Sequence, residues 1–175
     1  MNTSCSNNCF SQEGITSQVL VMKETVSKEN SAQLRKEGME VALANATDSP
    51  SDQIKKRLLE AWGTWFPDYE GWLKWSNSLY TPDSKIYAIG SEVQRFADYQ
   101  VSMKGYRDAC DMEMGPIMQI TVDGNTAALI YYMYLTPKND PAKTMVSIVT
   151  EYNTFEVVDG KLMVTRLDLY TGGAK

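Results

Sequence analysis

The chain has 175 residues, 43% of them hydrophobic and 22% charged, with a formal net charge of −5. These values suit one soluble globular domain with a tail, and they argue against a phosphate backbone as partner, because the largest basic cluster is Lys55-Lys56-Arg57. Histidine is absent, which removes the usual proton carrier near neutral pH and every Ser-His or Cys-His nucleophile.

No apolar run approaches the ~20 residues of a membrane span, and the first 14 residues, rich in Ser and Asn, lack the basic and apolar regions of a secretory signal. A cytoplasmic protein is expected. The three cysteines (Cys5, Cys9, Cys110) do not make a disulfide framework. Cys5-x3-Cys9 lacks the second cysteine pair or the histidines that a tetrahedral metal site would need, so no metal is expected.

Residues 1–50 read as a tail followed by a helical arm. Val19, Met22, Val26, Leu34, Met39, Val41 and Leu43 form a loose apolar stripe from Ile15 to Ala46, interrupted by Lys28-Glu29-Asn30-Ser31. Residues 51–175 read as the domain proper. Ser51 or Asp52 is placed to cap a helix over Ile54–Phe66, with Leu58, Ala61, Trp62, Trp65 and Phe66 at helical spacing. Pro67 ends it, and Asp68 caps a second helix carrying Trp72, Trp75 and Leu79. Thr81–Ser84 is a turn and Lys85–Ile89 a short strand closed by Gly90. Ser91 then caps a third helix to about Ala109, with Val93, Phe96, Ala97, Val101 and Tyr106 facing inward. Tyr99 is expected on the wall of the domain and its neighbour Asp98 in solvent, while Cys110 reads as a small buried hydrophobe.

From Met118 to Tyr170 the chain reads as four successive strands. Asp123-Gly124-Asn125 and Asp159-Gly160 interrupt segments rich in Ile, Val, Leu and Tyr, and an Asp-Gly pair tolerates the positive φ of tight hairpin turns. The sum is an α+β architecture: helices covering one face of an antiparallel sheet.

At this point the chain resembles the NTF2-like superfamily, over roughly residues 54–172. The likeness rests on the helix–PDYEGW–helix–LYTPDSKIYAIG stretch and on the closing FEVVDGKLMVTRLDLY hairpin. It implies a cone of three helices on a strongly curved, mostly antiparallel sheet, here with an extra N-terminal helical arm. It also implies an apolar pocket, and activities of the SnoaL-like polyketide cyclase, ketosteroid isomerase or dehydratase kind. Members commonly pair through the outer sheet face, so a homodimer is expected.

Alternation places Glu151, Asn153, Phe155 and Val157 on one face of their strand. A glutamate beside a core-facing asparagine is either a buried acid with a raised pKa or a group near the strand's exposed end paired with Arg166. By the resemblance, Glu151 stands where ketosteroid isomerases carry a protonated aspartate. Their general base falls at Ala88, however, and their oxyanion-hole tyrosine near Glu60 or Ala61, so that family's mechanism is not expected unchanged. The candidate catalytic set is Glu151 as acid or base, with Tyr87 or Tyr132 orienting a carbonyl. Tyr132 and Tyr134 are read on one face and Tyr131 on the other; strand packing alone also accounts for these tyrosines and for Tyr87. Candidate ligand-binding residues are Trp62, Trp65, Trp72, Tyr99, Asn153 and Phe155, with Asp168 and Tyr170 at the pocket floor. The expected ligand is small and largely apolar, with no cofactor. The expected chemistry is isomerisation, cyclisation or dehydration beside a carbonyl, the alternative being a binding or dimerisation module without turnover.

Overall fold

The computed structural model describes residues 15–19, 28–63, 68–88 and 92–172. Strand β1 (Ile15–Val19) is followed by helices α1 (Lys28–Leu43), α2 (Pro50–Gly63) and α3 (Tyr69–Leu79), then by strands β2 (Tyr80–Ala88) and β3 (Gln94–Arg95) and helix α4 (Phe96–Ala109). Strands β4 (Cys110–Asp123), β5 (Thr126–Pro137), β6 (Met145–Val158) and β7 (Lys161–Thr171) complete the chain. Among the described residues they form one mixed sheet in the order β1-β4-β5-β6-β7-β2-β3. Only the β2–β7 pairing is parallel.

The two hairpins form as the turn residues dictate. Asp159 (φ 50°) and Gly160 (φ 75°) both take the left-handed conformation between Val158 and Lys161, a two-residue turn whose twist matches its strands. At the other hairpin Gly124 alone has positive φ (57°).

Helix α2 starts earlier than expected. Pro50 occupies its first position, where a missing N–H costs nothing, and Ser49 rather than Ser51 or Asp52 accepts the capping bond, from the Asp52 N–H at 3.2 Å. Asp52 closes the entry from the other side. Its carboxylate accepts from the Thr47 N–H and hydroxyl at 2.7 and 2.6 Å and pairs with Lys55 at 3.0 Å. The Thr47 bonds hold its pKa well below the usual aspartate range. Asp68 caps α3 as expected, accepting from the Gly71 N–H at 2.6 Å.

Several expectations are corrected. Ile15–Val19 is a strand, not the start of a helix: its β-branched residues suit the edge offered by Gln119–Asp123 of β4. Lys28–Ser31 opens α1 instead of interrupting it. Thr81–Ser84 lies inside β2, where its turn chemistry becomes an irregularity. Ser84 Oγ accepts from the Thr81 N–H and donates to the Val164 carbonyl, and the register with β7 shifts between Tyr80 and Lys85. Helix α4 starts only at Phe96, so Val93 precedes it, exposed; on α4 the inward phase runs Phe96, Tyr99, Met103, Arg107, while Val101 and Tyr106 are exposed. Val157 is also exposed, beyond the register shift between Thr154 and Phe155. Cys5, Cys9, Met22, Val26, Trp65, Phe66, Pro67, Gly90 and Ser91 lie outside the described residues.

The core sits between the concave sheet face and the helices. Leu58, Leu59 and Trp62 of α2 and Trp72, Trp75 and Leu79 of α3 pack over Ile120, Leu129, Val149, Phe155 and Val164 of the sheet. Helix α1 runs along β4, where the Arg35 guanidinium donates to the Met114 carbonyl at 3.2 Å.

Beside that contact β4 loses register with β5, between Met114 and Ile117, and Gly115 makes the close approach possible. A Cβ there would sit 2.8 Å from Tyr134 Cε2, 2.9 Å from Tyr132 Cβ and 3.0 Å from the Tyr132 carbonyl oxygen. Gly115→Ala is therefore expected to destabilise the fold by about 1–3 kcal/mol in urea unfolding. An unchanged midpoint would show that the backbone yields at no cost.

Candidate functional site

Strand β6 alternates without a break from Ser147 to Phe155: Ser147, Val149, Glu151, Asn153 and Phe155 are buried, while Ile148 and Tyr152 face solvent. Glu151 is 7% exposed. Its Oε1 accepts from the Tyr131 hydroxyl at 2.6 Å, Tyr131 standing on the same face of the neighbouring strand β5. Its Oε2 has no hydrogen-bond partner. Two positions on, Asn153 Oδ1 accepts from the Tyr80 hydroxyl at 3.1 Å. Asn153 Nδ2 lies near enough to Glu151 to lower its pKa but outside hydrogen-bond geometry, and is also unpartnered.

Burial dominates the titration of this carboxyl. It pushes the Glu151 pKa up from 4.5 to about 7, against the smaller opposing effects of the Tyr131 and Asn153 side chains. Burial, and then the negative charge of Glu151, raises Tyr80, Tyr99 and Tyr131 above the ordinary phenol value. At neutral pH the three tyrosines remain protonated donors, and the carboxyl is divided between its two forms.

The carboxyl faces a cavity of about 60 Å³, about the share of liquid volume that two waters take. Its walls are aromatic because three helices turn their inward stripes toward it. Helix α2 supplies Trp62, α3 supplies Trp72 and Trp75, and α4 supplies Phe96, Tyr99 and Met103. The sheet supplies Tyr80, Met112, Tyr131, Met133, Leu167 and Leu169 beside Glu151. These rings are locked to one another. Trp62 meets Trp75 edge-on at 5.4 Å, Tyr80 stacks on Phe96 at 4.3 Å, and the Trp75 indole N–H donates to the Ala61 carbonyl. Behind Trp72 the buried Arg107 guanidinium stacks at 5.5 Å. Burial lowers its pKa to about 10, which leaves it charged at neutral pH.

A second, open cleft of about 330 Å³ lies between α4 and the β2–β3 edge, lined by Ile86, Ala88, Glu92, Gln94, Ser102 and Tyr106 together with Tyr99 and Met103. Tyr99 and Met103 thus line both hollows.

The structure brings Glu151, Trp62, Trp72 and Tyr99 together around this cavity, while Asn153 is fully buried beside Glu151 and does not line it. Phe155 shares their face but belongs to the core below it. Four expected site residues point elsewhere. Tyr87 is one residue out of phase: Ile86 faces inward, and the Tyr87 ring lies under the Arg166 guanidinium at 4.2 Å. Tyr132 is likewise out of phase, since Ala127, Leu129 and Tyr131 are the buried alternates of β5 and Tyr132 packs on Gly115. Asp168 holds Arg166 through two bonds of 2.8 and 2.9 Å, which also removes Arg166 as a partner for Glu151. Tyr170 is exposed, edge-on to Tyr152. Leu167 and Leu169 take the inward places that were expected of Asp168 and Tyr170. The residues missed as partners of the acid, Tyr131 and Tyr80, were reachable in part. Counting alternation forward from the Asp123–Asn125 turn through Leu129 puts Tyr131, not Tyr132, on the inner face.

No family model matches the sequence, and no curated protein does. Solved structures do match. AusH from Aspergillus nidulans is 12% identical with a TM-score of 0.55, over 71% of this chain and 86% of that one. An NTF2-like protein of unknown function from Burkholderia pseudomallei is 10% identical with a TM-score of 0.52, over 68% and 90%. An LEH-like epoxide hydrolase of M. tuberculosis is 15% identical with a TM-score of 0.50, over 67% and 79%. The chain has the NTF2-like fold.

The raised pKa of Glu151 makes stability fall with pH. The unfolded carboxyl titrates near 4.5 and the folded one near 7, so between those values the native state holds the extra proton and each step upward in pH disfavours it. Wild-type protein is expected to lose about 3 kcal/mol of unfolding free energy across that window, and Glu151→Gln to lack this loss. Parallel urea-derived stability profiles of the two proteins between about pH 4.5 and about pH 8 would contradict the assignment.

Proposed function

We propose that the protein is a cytoplasmic homodimer that binds a small, largely apolar carbonyl compound in the Glu151 cavity, and that it carries out cofactor-independent isomerisation, cyclisation or dehydration beside that carbonyl. The observation that carries this reading is Glu151, a buried carboxyl that lines an aromatic cavity and has one oxygen, Oε2, without a hydrogen-bond partner. Among the described residues no helix is long and apolar enough to cross a membrane.

The chemistry follows from a carboxyl and a phenol that line one cavity. Ionised Glu151 takes the proton on the carbon next to the carbonyl: the C–H bond breaks, the carboxyl gains the proton, and charge develops on the carbonyl oxygen. Tyr99, which lines the same cavity and keeps its phenol proton at neutral pH, is the donor for that oxygen. Protonated Glu151 then returns its proton to a different carbon or to a departing hydroxyl. A pKa near 7 lets one group serve in both directions. Tyr131 holds Oε1, so Oε2 is the oxygen left to react. One structural neighbour is an epoxide hydrolase. Water attack on an epoxide calls for a second group to activate the water, and Glu151 is the one carboxyl lining this cavity among the described residues, which favours the carbonyl reading.

A binding module without turnover is the second reading, and Ala88 in the cleft, where ketosteroid isomerases would place a base, favours it. The two separate with small enones and β-hydroxyketones, followed by ultraviolet absorbance for turnover and by tryptophan fluorescence for binding. Catalysis predicts that Glu151→Gln lowers kcat by about 10²–10⁴ with binding kept, and that Tyr131→Phe lowers it by about ten-fold. Binding by wild type with no turnover of any of these compounds would select the second reading.

The homodimer is assigned to the outer sheet face, where Ile148, Tyr152 and Tyr170 are exposed together. Light scattering on eluted protein is expected to give twice the chain mass, and Ile148→Asp with Tyr152→Asp the monomer mass. A monomeric wild type would remove this assignment.

A further inference from the structure

We propose that Met103 is the gate of the Glu151 cavity, and that its swing toward solvent joins this cavity to the cleft beside α4 and admits a neutral, elongated, apolar ketone. The inference rests on the carbonyl reading of the site, and adds the entrance and the shape of ligand that it takes.

The need for a gate comes from size. The cavity of about 60 Å³ offers only about the share of liquid volume that two waters take, and Glu151 is buried in its wall. A ketone with an apolar body does not fit there while the wall is closed. The cleft next to it, at about 330 Å³, lies in the range of small-molecule sites, roughly 300–1,000 Å³. Tyr99 and Met103 are the residues that line both hollows.

These two differ in how firmly they are held. The Tyr99 ring lies 6.3 Å from Trp72 and 6.0 Å from Phe96, and Phe96 in turn stacks on Tyr80 at 4.3 Å. Displacing Tyr99 disrupts that aromatic cluster. Met103 is partly buried at the margin of the core, and an unbranched thioether turns to another rotamer at small cost. Its helix is packed shallowly at this point. Of the fourteen residues of α4 only Phe96, at its start, and Arg107, near its end, are buried. The turns between them, which carry Met103, form the partition.

The cleft sets what passes. Buried Ile86 and half-buried Ala88 give it apolar surface beside Tyr106, and Gln94 and Ser102 add neutral polar groups. Glu92 is the one charged residue lining the cleft among the described residues, and Glu151 the one lining the cavity. An anion would meet a carboxylate at each end with no lining cation to balance it, so the site selects a neutral ligand. An extended ketone places its carbonyl in the cavity while its apolar body lies along Ile86, Ala88 and Tyr106.

Stopped-flow tryptophan fluorescence of the full chain with 4-phenyl-2-butanone tests the inference, because a ketone quenches an indole on contact and Trp62, Trp72 and Trp75 line the cavity. The isosteric anion 3-phenylpropanoate is the comparison. Wild type is expected to show a time-resolved quenching phase with the ketone, and roughly ten-fold or weaker binding of the anion at neutral pH. Met103→Ala is expected to raise association and dissociation rates together by about ten-fold, with the dissociation constant moving less than about three-fold, and Met103→Phe to lower both rates. A residue that only touches the ligand or supports the fold would shift affinity or stability without this paired change. Ser102→Phe, an exposed position lining the cleft, is expected to slow association by about ten-fold. Circular dichroism checks that the variants fold, and the wild-type and Ser102→Phe measurements stand without the Met103 variants. Rates unchanged in both Met103 variants, association indifferent to Ser102→Phe, an anion bound as tightly as the ketone, or no quenching phase in wild type up to about 10 mM ketone each overturns the inference. A carboxyl carbon NMR titration separates the two failures. A Glu151 pKa near the ordinary value with the paired rate change present sinks the proposed function alone, whereas a pKa near 7 without that change sinks this inference alone.

Discussion

One hydrogen bond organises the inner face of this molecule: the 2.6 Å contact from the Tyr131 hydroxyl to Glu151 Oε1. It is the only full hydrogen bond the carboxyl has among the described residues, and burial outweighs it, as the pKa of about 7 records. The corresponding destabilisation at neutral pH, about 3 kcal/mol, is a large share of the ~5–15 kcal/mol that holds a typical domain folded. A leucine would fill the same space without that cost. The aromatic shell matters for the same reason, since it keeps water from solvating the carboxyl and so keeps its proton affinity high.

The wall and the acid are mechanically one object because helices run into strands without loops. Leu79 ends α3 and Tyr80 begins β2; the Tyr80 backbone N–H bonds back to the Ser76 carbonyl while its hydroxyl reaches Asn153 on β6. Ala109 ends α4 and Cys110 begins β4 in the same way. A shift of α3 therefore moves Trp72, Trp75 and Tyr80 together, and with them the amide beside Glu151. The parallel β2–β7 pairing fixes the other end, setting Ile86 beside Leu167 and bringing the α3–β2 unit against the closing hairpin.

The NTF2-like cone was legible because its carriers are local. Asp159-Gly160 and Asp123-Gly124 specify turns by backbone chemistry alone, and Asp68 specifies a cap. Glu151 and Asn153 were legible because Phe155 anchors the phase within their own strand. The errors at Tyr87, Tyr132, Asp168 and Tyr170 share one cause: a strand's phase is set by its partners, and slipping by one residue exchanges every inward and outward side chain. A register shift at Thr154–Phe155 compounds this, since nothing in the local sequence announces it, whereas Gly115-Pro116 marks the one between Met114 and Ile117. Helix α4 was misphased because Val93, Val101 and Tyr106 form a plausible apolar stripe, whereas the true inner stripe ends in a buried arginine, Arg107. Strand β1 was hidden because its pairing with Gln119–Asp123 spans some hundred residues of sequence.

Chemistry and capacity are thus assigned to different layers. The sheet holds the groups that can exchange a proton or place a charge: Glu151, Tyr131, Asn153 and Tyr80. The helices set how much space stands before them, and the partition that limits this space is narrow. Tyr99 and Met103 separate the inner cavity from the cleft that contains Ala88 and Glu92. Met103 is unbranched and soft enough to change rotamer, and the outer face of α4 carries exposed Val101 and Tyr106. The side chains that would have to move to join the cavity of about 60 Å³ to the cleft of about 330 Å³ are therefore on α4.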